Sequence, residues 1–223
     1  MQFELKIKLN DKLYIKDPME SELGRLIVKE ALPLLNQLGF ENFTFKKLAA
    51  QINTTEASVY RYFENKHKLL VYYLAWYWSL MYFRVNYSLQ NTSSIELKLK
   101  KIVKLLSTST QKKDNLQLLD EQLLNKLIIE EGSKSYLTKN VEIENKDKLF
   151  KPYKDICALF SGLIKEYNPK FKYSHSLATT ILEVAHSHQF HAHYLPSLTD
   201  IKHGDEKKLN DYLNHILFSS IKK

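Results

Sequence analysis

Apolar residues recur at intervals of three and four from Glu20 to near the C-terminus, the spacing that places them on one face of an α-helix. The first such stripe ends at Gly39, a residue typical of helix C-termini, and Pro33 within it is expected to kink the helix. The chain of 223 residues holds only 5 Gly and 5 Pro, fewer than the turns of an all-β fold require. The sequence therefore predicts an all-α fold of about nine helices.

Two short helices are predicted after the first one. Thr44 is a good N-cap for a second helix, and Thr54 or Thr55 for a third that ends near Tyr62. Asn53 tolerates a positive φ and predicts a tight turn between them. Later helices are predicted near residues 66–87, 95–107, 114–130, 148–167, 174–194 and 205–222, with 132–147 as a mobile loop.

The N-terminal residues show a different period. Residues 3–9, FELKIKL, alternate apolar and charged side chains, which is typical of a strand. Asn10 and Asp11 can form a two-residue turn, after which residues 12–15 return as a second strand. We therefore predict a short β-hairpin arm before the first helix.

Composition limits the cellular setting. The net charge of +8 suits nucleic acid, although the basic residues are spread along the chain. The single cysteine, Cys157, rules out a disulfide framework and fits a reducing compartment. The N-terminus lacks the apolar core of a signal peptide, and the uncharged run 69–83 is shorter than the roughly 20 residues of a membrane span. We expect a cytoplasmic protein with no membrane partner.

The segment NTTEASVYRYFENKHKLL, residues 53–70, is rich in hydrogen-bond donors. Two short helices joined by a tight turn are typical of a helix-turn-helix, whose second helix enters the major groove of DNA. Small side chains at Ala57 and Ser58 would let that helix approach base edges, and Tyr60, Tyr62 and Lys66 are able to reach phosphates. By periodicity alone, an ordinary helical corner with half-buried tyrosines fits equally well.

The run GRLIVKEALPLLNQLGFENFTFKKLAAQINTTEASVYRYFENKHKLL resembles the DNA-binding domain of the TetR family of bacterial transcriptional regulators, above all in TFKKLAAQ and VYRYF-EN-K. The similarity covers about residues 20–70. It implies a ligand-responsive regulator, usually a repressor, that binds a palindromic operator on double-stranded DNA as a homodimer and is not an enzyme. The implied parts are an arm (1–19), a helix-turn-helix DNA-binding domain (20–66) and a helical ligand-binding and dimerisation domain (67–223).

The resemblance also implies roles for single residues. Thr44 and Lys66 would contact phosphates, and Tyr60 and Tyr62 would touch the DNA backbone and adjacent bases. The residues implied to face base edges are Thr55, Glu56, Ala57 and Ser58.

Two positions depart from the family pattern. Asn53-Thr54 stands where a Gly-Val pair is usual; asparagine can still adopt the left-handed turn, but Thr54 weakens the small apolar contact. Glu56 is acidic beside a polyanion. It either accepts a hydrogen bond from a cytosine amino group or only favours the helix N-terminus.

The C-terminal helices are expected to form the dimer and to bind the effector. The expected interface face consists of Leu209, Tyr212, Leu213, Ile216 and Leu217, unless this face packs within its own chain. The candidate pocket residues are Tyr73, Trp76, Tyr77, His188 and His191, although aromatic residues at helical spacing are also typical of a core.

The stretch EVAHSHQFHAHYLP, residues 183–196, holds four histidines, of which His188 and His191 share a helical face. A metal site would need a third ligand and HExxH is absent, so we assign no metal ligand and expect no cofactor. Two other functions compete with a regulator. One is an enzyme that uses this cluster, without support from a nucleophile motif, a glycine-rich phosphate loop or paired carboxylates. The other is a helical interaction module that has lost DNA binding.

Overall fold

The computed structural model describes residues 7–108 and 118–222, which form ten α-helices and confirm the all-α prediction. The helices are α1 (Glu22–Asn42), α2 (Phe45–Gln51), α3 (Glu56–Tyr60), α4 (Lys66–Leu89), α5 (Ile95–Ser107), α6 (Glu121–Glu131), α7 (Val141–Lys146), α8 (Lys151–Tyr167), α9 (Ser174–Tyr194) and α10 (Glu206–Ser220).

The described residues divide into two compact units. The first consists of residues 7–77 and 118–151, and the second of residues 78–108 and 152–222. The division falls within the long helix α4. Among the described residues, none of the helices has the length and apolar character needed to span a membrane.

Side-chain caps set the starts of the first three helices. Ser21, Thr44 and Thr55 each accept a hydrogen bond from the backbone N–H three residues later, at the N-termini of α1, α2 and α3. Asn53 has a φ of 51° between α2 and α3, as the sequence predicted. These local contacts produce the two short helices and the tight turn that joins them.

Helix α1 leaves helical geometry at Gly39, which has a φ of 72° and a ψ of 160°. A residue with a side chain is strained in that conformation, so the glycine determines where the helix is interrupted. A kink was predicted at Pro33, but Pro33 keeps helical geometry. The one non-helical residue of α1 is Gly39. Behind the three helices, Val59 and Phe63 are fully buried and Ala49 nearly so, and they form a small core.

The predicted β-hairpin arm is wrong in its second strand. Residues 7–10 have no regular structure, and Asp11–Leu13 is a 3₁₀ turn where the return strand was expected. The Asn10 side chain accepts a hydrogen bond from the Lys12 N–H, a local turn that competes with strand pairing. Leu13 is buried by the packing of this segment. Residues 3–6 of the predicted first strand lie outside the described residues.

The segment 132–147, predicted as a loop, instead contains a 3₁₀ turn (Gly132–Ser135) and the short helix α7. Glu144 of α7 is buried, with both carboxylate oxygens 3.0 Å from His67 Nε2 and one accepting from Lys68 Nζ at 3.1 Å. Six residues are too few to show a helical period, so the sequence alone did not reveal α7. The helix predicted at 114–130 begins at Glu121, where Asp120 caps it, and residues 114–117 lie outside the described residues.

The second unit is built from the end of α4 and from α5, α8, α9 and α10. Helix α10 packs against α5 and α9. Between α5 and α10, Asn210 Nδ2 donates to the Ser107 hydroxyl at 3.1 Å. Between α5 and α9, Gln189 Nε2 donates to the Leu106 carbonyl at 3.3 Å. These two hydrogen bonds tie α5 to α9 and to α10.

Candidate nucleic-acid interface

The N-termini of α2 and α3 carry hydroxyls that serve first as caps. Thr44 is exposed, and its Oγ1 accepts from the Lys47 N–H at 3.2 Å. Thr55 is exposed as well, and its Oγ1 lies 3.2 Å from the Ser58 N–H and 2.9 Å from Ser58 Oγ. Each hydroxyl therefore stands beside the free N–H groups of a helix start, where an anion such as phosphate is favoured.

The outer face of α3 combines small residues with one large one. Ala57 is exposed, and Glu56 and Ser58 are partly exposed. Tyr60 is 46% exposed, and its ring stands edge-on to Phe45 of α2 with centroids 5.0 Å apart. The ring contact holds the tyrosine in place while nearly half of the residue stays exposed, which suits a contact to the DNA backbone.

Tyr62 does not belong to this exposed face. The side chain is only 5% exposed, and its hydroxyl lies 2.8 Å from Ser21 Oγ at the start of α1. Its backbone carbonyl accepts from the Ile15 N–H at 2.8 Å. The resemblance gave Tyr62 a DNA contact, but the structure places it in the core because two distant segments cover it.

The Lys66 side chain is also engaged within the protein. Its Nζ donates to the carbonyls of Phe40, Glu41 and Phe43, at 2.7, 2.9 and 3.3 Å, and lies 4.7 Å from the centroid of the Phe40 ring. Carbonyls at the end of a helix attract a cation. This ammonium therefore ties the end of α1 to the start of α4, which does not fit the phosphate contact implied for it. The end of α1 is also held by α6, because the Phe40 N–H donates to the Glu131 carboxylate at 3.0 Å.

Three cationic side chains near α2 and α3 were not singled out from the sequence. Lys46 on α2 and Arg61 directly after α3 are exposed. Their positions on the outer faces of short helices could have been found by helical spacing. Lys16 is exposed beside Tyr62, with its Nζ 5.6 Å from the centroid of the tyrosine ring. No sequence signal connects two residues 46 positions apart.

Residues 27–73, which contain α2 and α3 entire, match the family model described as bacterial regulatory proteins, tetR family. Residues 27–73 are therefore similar to the N-terminal domain of the TetR family. The match extends over the capped start of α2, the Asn53 turn and the first turns of α4. No curated protein matches the sequence at a significant level.

Several solved structures share the fold of this chain at 13–15% sequence identity. AibR in complex with isovaleryl coenzyme A and operator DNA has a TM-score of 0.60, at 13% identity, over 88% of this chain and 99% of AibR. The fatty acid degradation regulator FadR from Bacillus halodurans has a TM-score of 0.58, at 15% identity, over 86% of this chain and 96% of FadR. The superantigen PfiT has a TM-score of 0.60, at 14% identity, over 93% and 100% of the two chains.

The three aromatic pocket candidates, Tyr73, Trp76 and Tyr77, belong to the first unit. Tyr73 is fully buried and donates its hydroxyl to the Val28 carbonyl at 2.6 Å, and burial raises its pKa well above the usual value. Trp76 and Tyr77 are 4% and 7% exposed. The Trp76 Nε1 has no hydrogen-bond partner among the described residues. Tyr73 is thus a satisfied core residue, while Trp76 keeps a buried donor unused.

The histidines of α9 have distinct surroundings in the second unit. His186 stands against Trp78, with ring centroids 5.4 Å apart, and burial lowers its pKa to about 4. The His188 Nδ1 lies 2.8 Å from Thr199 Oγ1, and burial together with the nearby His191 lowers the His188 pKa. The His191 Nδ1 is buried without a partner among the described residues. Three metal-ligating side chains do not come together anywhere in the described part of the chain.

Two surface grooves lie in the second unit, and neither includes the five predicted pocket residues. One, of about 580 Å³, runs along α9 and is lined by His175, Ser176, Thr179, Thr180, Glu183 and Val184. The other, of about 420 Å³, is lined by Asn91, Thr92, Ser93, Leu97, Lys100, Lys101 and Lys104.

The apolar face expected at the dimer interface is mostly internal. Leu209, Leu213 and Leu217 are 2%, 0% and 0% exposed, because α10 packs that face onto α5 and α9 of its own chain. These three leucines are core residues, which corrects their assignment to an interface. Tyr212 remains 38% exposed, with its ring centroid 4.9 Å from that of His188, and Ile216 is partly exposed.

Proposed function

We propose that this protein is a ligand-responsive transcriptional regulator, a repressor that binds a palindromic operator as a homodimer through α3. It acts by binding and not by catalysis, and in the cytoplasm. The observation that carries this proposal is the outer face of α3, which follows a tight turn, presents Ala57, Ser58 and Tyr60, and lies within the segment matched by the family model. AibR, a neighbour in fold, was crystallised with operator DNA and with a coenzyme A thioester, which supports both halves of the proposal.

A dimer would place the two copies of α3 about 34 Å apart, one turn of DNA, on the two halves of a palindrome. We assign base contacts to Thr55, Glu56, Ala57 and Ser58, and phosphate contacts to the start of α2 at Thr44 and to Tyr60. The basic side chains Lys46 and Arg61 add to the positive surface around them.

We assign residues 1–19 to an arm, 20–66 to DNA binding, and 67–223 to effector binding and dimerisation. Two buried nitrogen atoms without partners, Trp76 Nε1 and His191 Nδ1, support roles for these residues in effector binding, because a buried unpaired polar group is costly. Tyr212 and Ile216 are the parts of α10 left accessible for a second copy.

A helical interaction module without DNA binding is the second candidate. The superantigen PfiT shares the fold as closely as AibR does, so the fold alone does not distinguish the two functions. A measurement of DNA affinity distinguishes them. Phosphate contacts release counterions, so the affinity of a DNA-binding protein falls steeply as the salt concentration rises.

The deciding experiment measures binding of the purified protein, by fluorescence anisotropy, to duplexes from its own upstream region and to random duplexes at two salt concentrations. A regulator binds one of these duplexes selectively, with two protomers per site and an affinity that falls as salt rises. Small molecules are then screened for release of the DNA. If the upstream and the random duplexes bind equally weakly, the protein is used to select binding fragments from the whole genome. Recovery of a fragment indicates a distant operator, and failure to recover one indicates a module that does not bind DNA.

A further inference from the structure

The segment Tyr14–Asp17 lies directly against the turn that follows α3. The Ile15 N–H donates to the Tyr62 carbonyl at 2.8 Å, and the Lys16 Nζ lies 5.6 Å from the centroid of the Tyr62 ring. Lys16 is exposed, whereas Tyr62 is 5% exposed. An exposed ammonium group therefore stands over the side chain to which the family resemblance gives a DNA contact.

The backbone that carries Lys16 is held in place by its neighbours. The Tyr14 hydroxyl donates to Asp17 Oδ2 at 3.2 Å, and the Tyr14 ring packs edge-on against Tyr72 with centroids 6.4 Å apart. Earlier in the segment, Leu13 is 1% exposed and Asn10 Nδ2 donates to the Asp147 carbonyl at 2.8 Å. Because the backbone is already ordered, a contact made by Lys16 costs little beyond the ordering of its own side chain.

The present contact of the ammonium is weak. The Lys16 ammonium is exposed to water and lies 5.6 Å from the ring centroid, so this cation–π contact is weaker than a charge-assisted hydrogen bond to phosphate. Two exposed charged residues flank Tyr62 in the sequence. Arg61 adds a second cation, and Glu64 adds a negative charge that partly offsets the two cations. Asp17 is engaged by the Tyr14 hydroxyl.

We propose that Lys16 binds a DNA phosphate in place of Tyr62, so that the segment Tyr14–Asp17 extends the DNA interface beyond α2 and α3. The proposal rests on the proposed DNA-binding function. Two observations carry it together: Tyr62 is covered and bonded to Ser21, and the cation that covers it is exposed and anchored at its backbone. Lys66 does not take this role, because its ammonium already donates to three carbonyls of its own chain.

The test compares the salt dependence of DNA affinity for the wild-type protein and for Lys16→Gln, which removes the charge but keeps a polar side chain on the first part of the aliphatic stem. Each lost phosphate contact lowers the slope of log K against log salt by about 1. We expect that change, with an affinity loss of about three- to tenfold near 0.1 M salt, equal on operator and random duplexes. Lys16→Arg should restore the wild-type slope.

Lys207→Gln is the matched control, because Lys207 is an exposed lysine on α10 in the other unit. It should leave the slope unchanged. A Lys16→Gln slope equal to that of the wild type, in a protein that binds DNA and melts at the wild-type temperature, overturns the proposal. A loss of affinity in Lys16→Gln for the operator but not for random duplexes also overturns the proposal, since it would mean that Lys16 contacts a base and not a phosphate. If the wild-type protein itself shows no salt-sensitive binding, the regulator function fails, and this inference fails with it.

Discussion

Tyr60 and Tyr62 are two residues apart but have different neighbours. Tyr60 is 46% exposed and rests on Phe45, whereas Tyr62 is buried and bonded to Ser21. Removing the hydroxyl from each should therefore change different properties of the protein.

We expect Tyr60→Phe to weaken binding to operator and random duplexes alike by a few-fold, because it removes a phosphate contact, and to leave the melting temperature unchanged. Tyr62→Phe should cost about 1 kcal/mol of unfolding free energy through the lost bond to Ser21, with DNA affinity preserved. Urea denaturation and anisotropy titration of both variants measure the two effects. If Tyr62→Phe lowers DNA affinity as much as Tyr60→Phe does, Tyr62 contacts DNA despite its burial.

Two helical glycines have opposite surroundings. In α1, a Cβ on Gly24 would stand 2.3 Å from the Pro18 carbonyl oxygen and 2.6 Å from the Pro18 Cα. In α8, a Cβ on Gly162 would meet nothing within 4 Å. The first glycine is required because the backbone of the 3₁₀ turn Pro18–Glu20 approaches it closely, and the second is not required by packing.

We expect Gly24→Ala to destabilise the protein by about 1–3 kcal/mol, because backbone atoms of Pro18 must move. Gly162→Ala should stabilise it by about 0.5–1 kcal/mol, since alanine favours a helix over glycine and nothing obstructs its methyl group. Both free energies come from urea denaturation at one pH. A stabilising Gly24→Ala would mean that the Pro18 backbone does not lie this close to Gly24.

Helix α7 shows how a short element is stabilised by tertiary contacts. Its Glu144 is buried between His67 and Lys68 of α4, and the following Asp147 carbonyl accepts from Asn10. A six-residue helix is marginal by itself, so these contacts account for its presence.

The stability of the molecule should depend on pH through His186. Its pKa is about 4 in the folded protein, because burial disfavours the charged ring, against about 6.5 in the unfolded chain. Between these values the unfolded state binds a proton that the folded state does not, so stability is complete above pH 6.5 and falls as pH decreases towards 4.

We expect this histidine to contribute a loss of at most about 2 kcal/mol between pH 7.5 and pH 5, since part of the side chain remains accessible. Urea denaturation at both pH values should show a smaller difference for His186→Phe, which keeps a ring against Trp78. His215→Phe on α10 is a control, because His215 is exposed. If the free energy of unfolding of His186→Phe changes with pH as much as that of the wild type, a group other than His186 is responsible.

Most of the helices and the helix-turn-helix could be predicted from the sequence. Their signals are local: apolar residues three and four apart, Thr44 and Thr55 as caps, and a turn that Asn53 makes with a positive φ. Such interactions join residues within one turn of a helix, so a single chain segment contains all of the information. The exposed positions of α3 follow from the same period.

The roles of Tyr62, Lys66 and the α10 leucines depend on residues far away in the chain. Ser21 is 41 positions from Tyr62, and Phe40 is 26 positions from Lys66. An aromatic ring or a cation has the same local pattern whether it faces DNA or another segment of its own chain. Tertiary packing decides between these, because burial depends on which distant segment covers the side chain, and no helical period carries that information.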